Sequence, residues 1–148
     1  MLLKLEKCET QNNNIEITIK YPEKNKNLER LVSLIKSLDI KIPCYSDTGV
    51  VLVNASDIFY AESIDKKTIV CCEKENYPVK DRLYQLYEKV MPAGFVQINK
   101  YCILNINKLE KVTTLENSHL EAVLSNGKSL YITRKYLADI KRMLLENE

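Results

Sequence analysis

Beyond residue 40, no apolar run lasts more than a few residues before a turn signal cuts it. "KIPCY" and "VVLV" flank Asp47-Thr48-Gly49, and "IFYAES" and "KTIVCCE" flank Ile64-Asp65-Lys66. "FVQI" and "YCILN" flank Asn99-Lys100, and "HLEAVL" and "SLYIT" flank Ser125-Asn126-Gly127-Lys128. Strands this short, turned about every eight to twelve residues, fold back antiparallel. The Asn126-Gly127 pair suits a type I′ hairpin, which needs positive φ at both central residues.

Helical periodicity appears in three places. Leu28, Leu31, Val32, Ile35 and Leu38 recur at helical spacing, with Asn27 as a candidate N-cap. A second helix is expected from an Asp81 cap through Val90, burying Leu83, Leu86, Tyr87 and Val90; Pro92 ends it. The third is "RKYLADIKRMLLE", capped by Thr133. Before the first helix, "IEITIKY" alternates strictly, Ile15, Ile17, Ile19 and Tyr21 on one face and Glu16, Thr18 and Lys20 on the other, the pattern of a half-buried strand. The expected fold is therefore mainly β with peripheral helices. Residues 1–43 form a strand–helix extension and residues 44–148 the principal domain.

Composition narrows the functions. A 148-residue chain, 45% hydrophobic and 28% charged, reads as a globular domain. No apolar run approaches the ~20 residues that span a bilayer, and "MLLKLEKCET" lacks a signal-peptide pattern, so a cytoplasmic location is expected. With three glycines there is no Gly-rich phosphate loop. Five cysteines and the single His119 form no zinc spacing; free thiols, with no metal and no cofactor, are expected. Catalysis would need Cys71, Cys72 or Cys102 beside His119 with a carboxylate such as Glu121, and no motif supports it. A net charge of +2 is too mild for bulk attraction to nucleic acid, so a nucleic-acid binder of this kind must gather its cations locally.

The ordered set "VNASDIFYAES", "RLYQLYEKV", "FVQINKYCILNINKLEKV" and "LSNGKSLYITRKYLADIKRML" resembles the LytTR DNA-binding domain of AlgR/AgrA/LytR-type regulators. Phe95, Lys100, Asn105 and Ile106 match its core phrase, as do Asn126-Gly127 and Arg134-Lys135, with Thr133 in a serine position. Asn99 stands where histidine is usual, Tyr101 replaces a serine and Gln97 a frequent arginine, departures that bear on base preference rather than on fold. The resemblance implies an elongated stack of small antiparallel sheets that meets duplex DNA through loops. Its contacting positions are Lys66 and Lys67, Asn99 and Lys100, and Arg134 and Lys135. It further implies a stand-alone bacterial transcription regulator without a receiver domain, and a small membrane protein as partner.

Each position also has a plainer reading. Lys66-Lys67 at a hairpin tip is ordinarily solvated charge; placed by the resemblance, it reaches phosphates or a guanine edge. Asn99-Lys100 is a loop between strands, or an amide for adenine beside a phosphate anchor. Arg134-Lys135 opens a helix, where cations oppose the macrodipole, so a locally unfavourable choice hints at function. Lys128 and His119 read as surface residues. The tyrosines 84, 87, 101, 131 and 136 read as half-buried packing. The expected function is sequence-specific binding of double-stranded DNA by a homodimer on repeated sites, with no small-molecule substrate. The alternative is a LytTR-like interaction module that holds a membrane or cytosolic partner without DNA.

Overall fold

The computed structural model describes residues 1–9, 14–116 and 119–145. Its elements run α1 (Lys26–Asp39), β1 (Lys41–Ser46), β2 (Gly49–Asn54), β3 (Ile58–Ile64), β4 (Lys67–Cys72), β5 (Asn76–Val79), α2 (Leu83–Val90), β6 (Phe95–Asn99), β7 (Cys102–Asn105), β8 (Leu109–Thr114), β9 (Leu120–Leu124), β10 (Ser129–Ile132) and α3 (Arg134–Leu145). Single 3-10 turns precede β3, β6 and β8. The predicted third helix is present; its last expected residue, Glu146, lies outside the described residues.

Three antiparallel sheets result: β1-β2, β5-β4-β3-β7-β6 and β10-β9-β8. The five-stranded sheet is the middle layer, and its strands alternate between two cores. Val96, Ile98, Cys102 and Leu104 point to the side covered by the three-stranded sheet and α3 (Leu120, Leu124, Ile132, Ile140). Phe95, Ile103, Ile58 and Val70 point to the side covered by β1-β2 and α2 (Ile42, Cys44, Leu86, Val90). Burial of both faces explains why β3, β6 and β7 read as near-continuous apolar runs rather than clean alternations.

Buried polar groups lock the seam behind β7. Asn105, 1% exposed, donates its amide to the Ile58 carbonyl at 3.0 Å and accepts the Asn107 N–H at 3.0 Å. Gly94 ends the 3-10 turn after α2 at φ +93°, where a Cβ would stand 3.1 Å from Ser33 Oγ of α1. Here glycine is required both by the left-handed backbone and by the close approach of the helix.

Four local expectations need correction. Residues 14–20 pair with no strand, and Ile15 is 91% exposed; alternation makes a strand only where an edge receives it. The cap of α1 is Asn25, whose side chain accepts the Leu28 N–H at 2.9 Å, two residues before Asn27. Asp81 does not cap α2: Gln85 reaches back to the Arg82 N–H, while Asp81 pairs with Lys89 at 2.6 Å. The type I′ turn is at Asp65-Lys66 (φ +50° and +66°), whereas at Asn126-Gly127 only the glycine is left-handed. The β9–β10 loop is four residues long, closed by the Gly127 N–H on the Leu124 carbonyl, so it does not need the two-residue geometry.

Candidate nucleic-acid interface

The β3–β4 hairpin pairs Ile64 with Lys67, leaving Asp65-Lys66 as a two-residue tip. Lysine in left-handed backbone costs roughly 1–2 kcal/mol against a glycine there. The tip is held to its neighbour, because the Ser63 N–H bonds the Tyr101 carbonyl at 2.8 Å. As β3 runs antiparallel to β7, with Glu62 opposite Cys102, the Lys66 tip and the β6–β7 turn emerge at the same end of the middle sheet.

That second turn explains the polar break in "FVQINKYC". A bulge lies between Gln97 and Asn99, and Asn99-Lys100-Tyr101 carries the chain into β7. The Asn99 side chain faces inward: its amide donates to the Tyr131 carbonyl at 2.8 Å, and its oxygen accepts the Tyr101 N–H at 2.8 Å. One amide hydrogen and one lone pair remain for an outside partner. Asn99 thus ties the turn of the middle sheet to the end of β10, 32 residues on.

The third loop meets the same place. The Thr133 N–H bonds the Ile98 carbonyl at 2.9 Å, so the junction of β10 and α3 abuts the end of β6. Thr133 accepts the Tyr136 N–H through its carbonyl at 2.9 Å, and Arg134 and Lys135 open the 12-residue α3 with no acid in its first turn. Their positive charge opposes the helix dipole, so helix stability does not account for the choice.

The six residues marked by the sequence therefore lie in or directly beside three turns at one end of the stacked sheets. Among the described residues, Lys66, Lys67, Lys100 and Lys135 make no ion pair. Lys100 lies 5.6 Å from the centre of the Tyr101 ring and Lys135 5.5 Å from that of Tyr136, contacts that leave each ammonium its charge.

Three further side chains at this end were not expected at the interface, although His119 is on the surface as expected. Tyr101 and Tyr131 are 58% and 53% exposed rather than half-buried, and His119 packs tilted on Tyr131 with ring centres 5.9 Å apart. The period-two pattern of "SLYI", with Leu130 and Ile132 inside, already turned Tyr131 outward; nothing comparable marked Tyr101. Tyr84 is also exposed, while Tyr87 and Tyr136 are half-buried as expected.

Lys128 belongs elsewhere. It sits at the far end of the three-stranded sheet with its ammonium 5.9 Å from the Tyr60 ring centre. The thiols of the core are poor nucleophiles. Burial pushes Cys44 and Cys72 up to about 11, and raises Cys71 and Cys102 as well. Among the described residues, no helix is long and apolar enough to cross a membrane.

With this geometry in place, the chain can be set beside known proteins. It is 29% identical over 130 residues to an uncharacterized HTH-type transcriptional regulator of Staphylococcus aureus (strain NCTC 8325 / PS 47), covering 86% of this chain and 88% of that one. It is 27% identical over 130 residues to the sensory transduction protein LytT of Bacillus anthracis, covering 84% of this chain and 53% of that one. No two α-helices are consecutive among the described residues, so a helix–turn–helix is not formed there. The fold matches a LytTr DNA-binding domain from a Bacillus cereus response regulator with a TM-score of 0.64 at 24% identity, over 71% of this chain and 96% of that domain. The LytTr DNA-binding domain family itself matches residues 48–145, and the chain belongs to that family.

Proposed function

We propose that this chain is a cytoplasmic transcriptional regulator that binds duplex DNA in a sequence-specific way through the three cationic loops. Lys66, Lys67, Lys100 and Lys135 anchor phosphates, and Arg134 reads a base edge, the guanidinium fork to guanine being the commonest specific contact. Asn99 works chiefly by holding the Lys100 turn against β10, with its remaining hydrogen and lone pair turned to the groove. One module of this size covers a short stretch of duplex, so two copies act on paired sites.

The observation that carries the reading is the convergence of the three loops on one end of the sheets through the Ser63–Tyr101, Asn99–Tyr131 and Thr133–Ile98 bonds, which join residues 32 to 38 apart in sequence. Membership of a DNA-binding domain family supports it. The mild net charge of +2 then suffices, because the cations are gathered rather than spread.

Selection of duplexes from a random pool by the purified chain, followed by mobility shifts, tests the proposal. A short enriched element in two copies is the expected result. A pool with no enrichment, and no shift on any duplex, would overturn it in favour of a module that holds a protein partner.

A further inference from the structure

Most of the exposed large apolar side chains among the described residues lie before residue 53, away from the cationic loops. Some lie in residues 1–5 and on α1 (Leu34 and Leu38), and two further groups stand out. One is the segment 14–21, which has no assigned secondary structure, with Ile15 and Ile17 turned to solvent and Tyr21 nearly half exposed. The other is β2, where Val50 and Leu52 share the outer face and are 59% and 61% exposed. β2 pairs with β1 along one edge only, so its other edge offers a row of backbone donors and acceptors without a strand.

The two groups are complementary in kind. The segment supplies an alternating strand of about the length of β2, without a sheet; β2 supplies a sheet edge, without a strand. The cavity beside this edge, of about 440 Å³, is walled by the carboxylates of Asp57, Glu73 and Glu75; of its two lysines, Lys108 lies over the Phe59 ring. The segment carries Glu16, Thr18 and Lys20 on its polar face, followed by Glu23 and Lys24, so the match is one of apolar faces and backbone rather than of charge. Within one copy the segment stands off. It joins the start of α1, whereas the end of α1 adjoins the end of β2, where the Ile40 carbonyl accepts the Ala55 N–H at 2.8 Å. A 14-residue helix puts about 21 Å between those two points.

We propose that two copies of this chain exchange these segments: residues 14–21 of each add as a strand to the free edge of β2 in the other, laying Ile15, Ile17, Ile19 and Tyr21 beside Val50 and Leu52. The exchange is two-fold symmetric, so every strand given is matched by one received. Reciprocity doubles the contact, toward the roughly 1,200–2,000 Å² of a specific interface. It names the surfaces behind the pairing in the proposed function, but it does not depend on DNA.

Sedimentation of the full chain without DNA, across micromolar concentrations, tests it with two variants at exposed positions, Ile17→Asp and Leu52→Asp. The expected result is a wild-type dimer weakened about tenfold or more by either change. A wild-type chain that stays monomeric, or a dimer unmoved by both changes, would overturn the exchange. Gel shifts on a single half-site, run on the same samples, separate the outcomes. Monomeric variants that still shift the half-site leave the DNA reading standing, and dimers that shift nothing leave the exchange standing.

Discussion

The two hairpin tips at opposite ends of the stacked sheets solve the same problem differently. At the β9–β10 tip, Gly127 takes the left-handed position (φ +88°), the Asn126 side chain accepts the Lys128 N–H, and the Lys128 ammonium rests over an aromatic ring. Every choice there lowers the local energy. At the β3–β4 tip, a lysine occupies the left-handed position beside a second lysine, and neither makes an ion pair among the described residues. In the neighbouring loops lysines lie over rings at both ends, Lys108 on Phe59 at one and Lys100 on Tyr101 and Lys135 on Tyr136 at the other, but at the Lys66 end Arg134 and Lys135 also oppose a helix dipole. One end is arranged for stability. The other gives up stability to present charge, the pattern expected where a fold meets its ligand.

The sharpest way to break this contrast is salt. If Lys66, Lys67, Lys100 and Lys135 each neutralise a phosphate, the affinity of one module for DNA falls about a hundredfold between 50 and 200 mM salt, measured by fluorescence anisotropy. A flat salt response would mean that the cations do not face a polyanion. Next in size, Arg134→Ala costs roughly 1–3 kcal/mol on the selected element and relaxes one base position, whereas Lys128→Ala leaves DNA affinity unchanged. Equal losses from the two changes would erase the difference between the ends.

Asn99→Ala removes a bond across the two sheets and lowers stability by about 1 kcal/mol in urea titrations. Because it loosens the Lys100 turn, affinity drops similarly on all duplexes; a loss confined to one base position would instead make Asn99 a direct reader. The smallest effect is expected at the strained tip. Lys66→Gly relieves the left-handed lysine and raises stability by up to about 1 kcal/mol. The same change lowers the slope of log affinity against log salt by about one if Lys66 holds a phosphate. A stability loss would show that the lysine makes contacts the tip needs.

Much of this molecule could be read from local pattern. The strand pairs around residues 47–49, 64–66 and 125–128, and all three helices, follow from short-range alternation and turn chemistry, which act on neighbours in the chain. The LytTr phrase around residues 95–106 pointed to the family because its residues have specific tasks: Asn105 holds its own turn and also bonds the start of β3, 47 residues away. Misreadings came where two local answers were nearly equal. Asn25 and Asn27 can both cap α1, and Asp81 could cap α2 or pair with Lys89; one competing contact decides each case. Ile15–Tyr21 carries the alternation of a strand, but alternation says nothing about whether an edge is within reach.

What the sequence determined by itself was therefore a set of short antiparallel strands, three amphipathic helices, and cations placed in turns where solubility alone did not ask for them. Only the tertiary structure decided that Lys66, Lys100 and Arg134 share one end, that Asn99 faces inward, and that Tyr101 and Tyr131 stand exposed beside them. The physical reason is range. Propensity and turn chemistry are settled within a few residues, whereas the Thr133–Ile98 and Ser63–Tyr101 bonds join backbone groups 35 and 38 residues apart, whose meeting depends on how two buried cores stack against one sheet.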